Sequence, residues 1–428
     1  MPSPSDGRSR RDVLKAAVAA GTTTALAACV DLAPDDGPPT GSPGSKPARQ
    51  HAWNDHVRTD DYGNVELPRH QTLLYLSLDR DGPPTEADRE TVERALAVLD
   101  EAYEWSSDGL LFSVAYSRAY FERFDAAPVN VDLPEPAPLS PFEDPVFDTQ
   151  DALVHLASDR ADVVLEAEHA LTGQTDEANG VDAEPLTDAL SVESRRTGFV
   201  GAGMPAERQD ADGVPDTNPV PEDAPLFMGF TAGFRENQAT EDYVTIESAP
   251  FAGGTTKVVS NLRQRLDDWY VEQGYEERVT ELFSPGHAAD GLVEGVGNNL
   301  GADSRIDEYV DDVEAHAREY GRVGHAQKAA RSNRDADGNV RVLRRHFEST
   351  DDVGSDREVA SLHFPSLQRE ISTFEDVRRA MNGTDLVDSS PAVRQRVNNG
   401  ILEYVFARRR GYFLVPPREL RALPAPDP

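Results

Sequence analysis

Cysteine is almost absent from this chain: Cys29 is the only one among 428 residues. That excludes a disulfide within the chain and a thiolate-held metal cluster. Lysine is nearly as scarce, with only Lys15, Lys46, Lys257 and Lys328, so arginine carries most of the positive charge. Positive charge is itself outnumbered, 42 basic residues against 77 acidic, for a formal net charge of −35. A surface of that sign repels a phosphate backbone, which removes nucleic acid as a partner. Long apolar runs are missing too. The stretch 16–28 is short and diluted by Gly and Thr, too little to span a bilayer. Several catalytic signatures are also absent: the Gly-x-Ser-x-Gly elbow, the phosphate loop, the dinucleotide fingerprint and His-Glu-x-x-His. Asn333-Arg334-Asp335-Ala336-Asp337-Gly338 superficially resembles a calcium loop, but no glutamate completes it at the proper distance, and it reads as a turn.

What is present starts at the N-terminus. Ser9-Arg10-Arg11-Asp12-Val13-Leu14-Lys15 resembles a twin-arginine export signal, and Leu26-Ala27-Ala28-Cys29 resembles the lipobox of exported lipoproteins. The expectation is export by the twin-arginine route and a lipid anchor on Cys29 at the outer face of the cell membrane. That anchor would be the only membrane contact. Dispersed Asp and Glu with little Lys resembles the proteins of salt-loving archaea, whose charged surfaces stay soluble in concentrated salt. Residues 30–65, rich in Pro, Gly, Ser and Asp, read as a flexible linker, so order is expected from about His70.

Beyond it, 428 residues leave room for two or three domains. Gln71–Leu78 reads as a strand, Thr85–Tyr103 as an amphipathic helix and Leu110–Tyr116 as a second strand. Ala152–Ala157 gives another strand and Asp159–Leu171 a helix, nearly completing a β-α-β-β-α-β unit. Residues 173–222 read as an irregular connection with a strand near Gly198–Gly201. The second half repeats the plan. A strand ends at Phe230, Thr255–Ser260 is a strand running into a helix over Asn261–Glu272, and Val359–Ser366, Thr373–Met381 and Gly411–Val415 follow as strand, helix and strand. The fold class expected is α+β: two antiparallel sheets packed face to face with helices outside. The boundaries expected are 1–29 signal, 30–65 linker, 66–215 first domain and 216–428 second domain.

Residues 321–347 hold the segment on which a site can be built, His325 followed by the pair Arg344-Arg345. A neutral imidazole can ligate haem iron, and a permanently charged guanidinium can hold a small anion on the opposite face. GHAQKAARSNRDADGNVRVLRRHF, VASLHFPSLQREISTFEDVRRAMNG and Gly229-Phe230-Thr231-Ala232-Gly233 together resemble the dye-decolourising (DyP-type) haem peroxidases over roughly residues 66–420. That resemblance implies two ferredoxin-like domains of the dimeric α+β barrel type, with haem b, one per chain, held mainly in the second. It implies His325 as the proximal iron ligand and Arg344 as the distal, catalytic arginine. Phe230, Ala232, Arg345 and Thr255 would then be further haem-pocket residues. The family's Gly-Phe-x-Asp-Gly motif has a proton-shuttling aspartate where this chain has Ala232. The implied partners are hydrogen peroxide and an unidentified electron donor, with weakened activity. The alternative is a non-catalytic haem- or iron-handling protein, or an interaction protein, of the same fold.

Glu236, Glu241 and Asp242 are candidate substitutes for the missing acid, and His346, Arg345, Lys328 and Arg331 candidate contacts for haem propionates. His363 reads as a packed strand residue, and His287 and His316 as ligands only under a different alignment. The acid that the family places behind its proximal histidine is not identified by the residues, and the resemblance is compatible with an oligomer without setting one.

Overall fold

The structure, a computed structural model, describes residues 37–352 and 358–428. The export and lipobox stretches lie outside the described residues. Eight strands of five residues or more carry the fold. They are β1 (His70–Leu78), β2 (Leu111–Ser117), β3 (Ala152–Ser158), β4 (Leu190–Phe199), β5 (Thr255–Gln264), β6 (Phe347–Asp351), β7 (Glu358–Gln368) and β8 (Val405–Val415). The first four pair in the order β4-β1-β3-β2 and the last four in the order β8-β5-β7-β6, antiparallel throughout.

In place of two separate sheets, the two groups share one sheet, closed into a barrel. The joints are thin: Phe413 opposite Ser117 and Leu414 opposite Tyr116 on one side, and Glu348 opposite Phe199 on the other. Closure removes sheet edges, which would otherwise expose unpaired backbone groups.

Alternation along β1 shows how the layers form. Leu74, Leu76 and Leu78 face the helices, while Leu73 and Tyr75 join Phe347, Phe413 and Val259 inside the barrel. Helix α1 (Glu86–Ala102) lies on the outer side with Val92, Ala95, Leu96 and Leu99 buried at helical spacing. It starts at a capping box, in which Thr85 accepts from the Asp88 N–H and Asp88 accepts from the Thr85 N–H at 2.7 Å. That arrangement contributes about 1 kcal/mol. Helix α2 (Ala161–Leu171) packs against β3 in the same layer.

Four expectations change. Residues 226–230 form turns, not a strand, because Gly229, at φ +83, leaves the extended region. The helix expected over 261–272 is strand as far as Gln264, and only Leu266–Val271 is helical. Cross-strand pairing with β7 and β8 overrides the helical spacing there. The strand near Gly198 is β4, which begins at Leu190 and carries polar residues in its middle.

The linker expectation also fails over its described part, where residues 37–65 pack on the barrel. The Gln50 side chain fills a gap at the thin β2–β8 joint. It accepts the Val114 N–H at 2.9 Å and donates to the carbonyls of Val114 at 3.2 Å and Pro416 at 2.9 Å. Trp53 is buried beside it, its indole N–H on the Gln50 carbonyl. Gln50→Ala leaves those backbone groups unpaired in the interior. It should cost about 3 kcal/mol, read as a lower urea midpoint at unchanged slope.

Candidate functional site

On the outer face of the second group of strands lies a cavity of about 280 Å³. Its floor is the outward row of β5 (Ser260, Leu262, Gln264) and of β7 (Leu362, Phe364). Helices α3 (His325–Ala330) and α4 (Ile371–Met381) and the 226–237 segment wall it in, with Met228, Phe230 and Phe283 among its apolar lining. The size is near the lower end for small-molecule sites. The cavity shares Leu226, Thr231–Phe234, Arg344 and His346 with a more polar outer channel of about 850 Å³.

His325 is the first residue of α3. Its backbone sits where two glycines permit close approach: a Cβ on Gly324 would lie 1.7 Å from the Phe283 carbonyl oxygen, and Gly400, at φ +63, meets the His325 N at 2.9 Å by the same construction. Lys328 ties the helix down, its ammonium donating to the carbonyls of Met381 (2.8 Å) and Asn399 (2.7 Å) and to Asn399 Oδ1 (2.6 Å). The imidazole faces the cavity. Nδ1 is buried without a hydrogen-bond partner, while Nε2 is also unbonded but accessible. Burial holds the ring pKa down to about 3, with Lys328 and Arg344 adding to the effect, so it is neutral. No carboxylate backs Nδ1 among the described residues, which makes this imidazole a weaker donor than an acid-backed one.

Arg344, on the same cavity, follows Leu343 in a two-residue strand pairing with β7. Gln238 Oε1 accepts both its backbone N–H (3.0 Å) and its Nε–H (3.3 Å), which fixes the guanidinium. Burial alone lowers its pKa, to about 10, and no carboxylate pairs with it among the described residues, so an uncompensated cation looks into the cavity at neutral pH.

Extended geometry then places alternate residues on the same face: Arg344, His346 and Glu348 all line the cavity. Arg345 and Phe347 point the other way. Arg345 bonds Glu241 and Asn54 and stacks over Trp53, and Phe347 enters the barrel core. His346 lies parallel to the Phe364 ring, centroids 6.2 Å apart, with Nδ1 buried and unpartnered. Burial, with Arg344 beside it, holds its pKa down to about 3. Burial pushes the Glu348 carboxyl up to about 8, even though the Phe227 N–H (2.9 Å) and Gln264 (3.0 Å) donate to it. At one end Glu143 binds Arg378 and, at 3.0 Å, Arg410. Burial raises its pKa, but the two arginines outweigh that and hold it below the ordinary value.

The structure thus brings His325, Arg344, Ala232 and Phe230 to one cavity. Arg345 borders only the outer channel. Thr255 is absent from the lining; it is fully buried, its hydroxyl on the Val244 and Gln368 carbonyls. None of the candidate acids reaches the inner cavity. Glu241 is held by Arg345, Glu236 pairs with Arg235, and Asp242 pairs with Arg49. Lys328 is committed to carbonyls, and Arg331 pairs with Asp385. His287 and His316 are bonded elsewhere, to Ser284 and Ser304 and to Gln327, and His363 packs inside the barrel. Sequence reasoning missed Glu348 and the Glu143–Arg378–Arg410 group. The alternation of Arg344, His346 and Glu348 was the signal available for the first.

An antiparallel barrel with outer helices and one histidine-and-arginine cavity defines the class. The chain belongs to the family described as a family of unknown function (DUF7405), matched over residues 68–417. No curated protein matches it in sequence. Among solved structures it is similar to a dye-decolorizing protein from V. cholerae, with TM-score 0.52, 12% identity, 85% of this chain and 97% of the other covered. It is similar also to the encapsulated DyP-type peroxidase from Mycobacterium smegmatis, with TM-score 0.52, 16% identity, and coverage of 85% and 97%. A third likeness is to a DypB variant from Rhodococcus jostii in complex with heme, with TM-score 0.52, 16% identity, and coverage of 87% and 97%. At these identities the likeness establishes the shared fold.

Proposed function

We propose that the chain binds haem in this cavity and oxidises a donor with hydrogen peroxide, as a divergent DyP-like protein. The observation that carries this reading is an open Nε2 on a neutral His325 facing the same apolar cavity as an unneutralised Arg344 guanidinium. The residues fit haem: an unprotonated imidazole for the iron, apolar walls for the ring, and a cation available to an anion. Haem, when bound, supplies electron transfer from a donor to peroxide. His325 holds the group and sets its orientation. Arg344, fixed by Gln238, orients an anionic ligand and stabilises negative charge developing on it. The Met228, Phe230 and Phe283 side chains exclude water. The same strand order in both groups supports two ferredoxin-like halves.

Haemin added to the protein in concentrated salt should give one equivalent bound per chain with a shifted Soret band. No shift at any ratio would remove this reading. A second reading, haem or iron handling without catalysis, is favoured by Ala232, which can move no proton. Rapid mixing with peroxide separates the two, since only the first predicts turnover of the haem spectrum followed by donor-dependent recovery. Export and lipid anchoring belong to the same proposal on the strength of Arg10-Arg11 and Cys29. Membrane association of the exported protein should be lost in Cys29→Ser.

A further inference from the structure

The 229–233 segment brings no titratable side chain to the cavity: its residues are Gly, Phe, Thr, Ala and Gly. The strand beside it does. His346 is 94% buried by its 6% exposure, borders both the inner cavity and the outer channel, and has Nδ1 unpartnered and Nε2 accessible. Its Cε1 lies 4.0 Å from where a Cβ would stand on Gly233, beside Ala232. Two residues earlier on the same face, the guanidinium end of Arg344 has no carboxylate among the described residues. An uncompensated cation beside a neutral base in a mostly apolar cavity is a site for a proton and an anion together.

We propose that Arg344 and His346 form a binding site for small weak acids, HX, in which X⁻ settles on the guanidinium and the proton passes to the imidazole. The site rests on the reading of this cavity as the reaction chamber and deepens it, because hydrogen peroxide is such an acid. His346 then performs the proton handling for which position 232 has no group. The step balances: the H–X bond breaks, its electron pair stays on X, and the proton forms an N–H bond on His346. Nothing is oxidised.

His325 is the other neutral base on this cavity, and in the loaded protein its Nε2 would be taken by the iron, which leaves His346 as the acceptor. Its own strand offers Arg344, which cannot accept a proton, and Glu348. The Glu348 carboxyl already carries its proton up to pH about 8 and cannot take up another near pH 6. The floor strand β7 contributes Leu362 and Phe364, Gln238 is uncharged, and Glu241 is neutralised by Arg345 on the other face. Burial keeps the free imidazole neutral, so the proton is held only while an anion is present, which couples the two.

Azide is the probe, measured by calorimetry between pH 5.5 and 7 in buffers of different ionisation heat, on both the haem-free and the haemin-loaded protein. The expected result is uptake of about one proton per azide, with affinity falling about tenfold per pH unit. His346→Gln should bind azide without proton uptake, Arg344→Leu should bind it at least about tenfold more weakly, and Glu348→Gln should keep the uptake. A histidine resonance of the wild-type protein that shifts to the imidazolium position on azide addition, and is missing in His346→Gln, assigns the acceptor. Should that variant not fold, the wild-type uptake and resonance still decide. Azide binding without proton uptake, uptake retained in His346→Gln, or no azide binding to either form would overturn the proposal. Failure of haemin to bind, with coupled uptake intact in the haem-free protein, would count against the haem reading alone.

Discussion

Replacing His325 by alanine should weaken haemin binding at least about 100-fold, roughly 2.7 kcal/mol, and abolish the Soret shift of a histidine-ligated iron. The haem-free fold should barely notice. The imidazole makes no hydrogen bond, and α3 is held by Lys328, by the Gln327 contact with His316 and by the close approach of Gly324 to Phe283. The substitution also removes a buried, unpartnered Nδ1, a group that costs stability. Free imidazole added to His325→Ala should enter the space left behind and restore the spectrum, which a collapsed variant would not allow. Haemin affinity, Soret position and urea midpoint, measured on both proteins, separate ligation from folding. A variant with unaltered haemin affinity and spectrum would discard His325 as the ligand.

Acid should unfold the haem-free protein well before its carboxylates are titrated. His51, His346 and His363 have pKa values lowered by burial to about 3, His70 to about 4, and His155 is lowered as well. Each binds a proton in the unfolded chain near 6.5 but not in the folded one, so stability is full above 6.5 and is lost as pH falls towards the folded values. Over pH 7 to 5.5 each contributes on the order of 1 kcal/mol of loss. Glu281 and Glu348, raised by burial to about 7 and about 8, act in the opposite sense and offset about three of those contributions, because the unfolded chain has already released their protons. The net expectation is a loss of about 2 to 3 kcal/mol. Urea denaturation at pH 7 and 5.5 in the same salt checks it; an unchanged or higher midpoint at 5.5 would contradict the burial of these histidines.

The amino-acid pattern reached the strand-and-helix order of the first half because β1, β2 and β3 are short apolar runs bounded by turn residues, and α1 starts after its cap, Thr85; in the second half it reached β5, β7, β8 and α4 but not β6. It did not reach the closing of the sheet. The joints involve only Phe413 with Ser117, Leu414 with Tyr116, and Glu348 with Phe199, and such pairings leave no local signature. Residues 261–264 are extended because β7 and β8 flank them, and the same letters read alone suit a helix. Residues 37–65 looked like tether by composition, yet one buried glutamine and one tryptophan dock that segment.

At the site, His325 and Arg344 were legible from the resemblance of their segment, and the structure places both on one cavity. Arg345, expected as a further pocket residue, is turned by strand alternation towards Glu241 and Trp53. Thr255 was misjudged for a related reason: it stands at the start of β5, and the lining row of that strand begins five residues later, at Ser260. The neutral states of His346 and Glu348 come from burial, which no composition reveals.

The most direct test of the central claim is resonance Raman spectroscopy of the haemin-reconstituted, reduced protein beside His325→Ala. A single iron–histidine stretching band, present in the wild-type protein and lost in the variant, is the result expected from an open Nε2 on His325 facing the cavity. The same band in both proteins, or none in either, would contradict it.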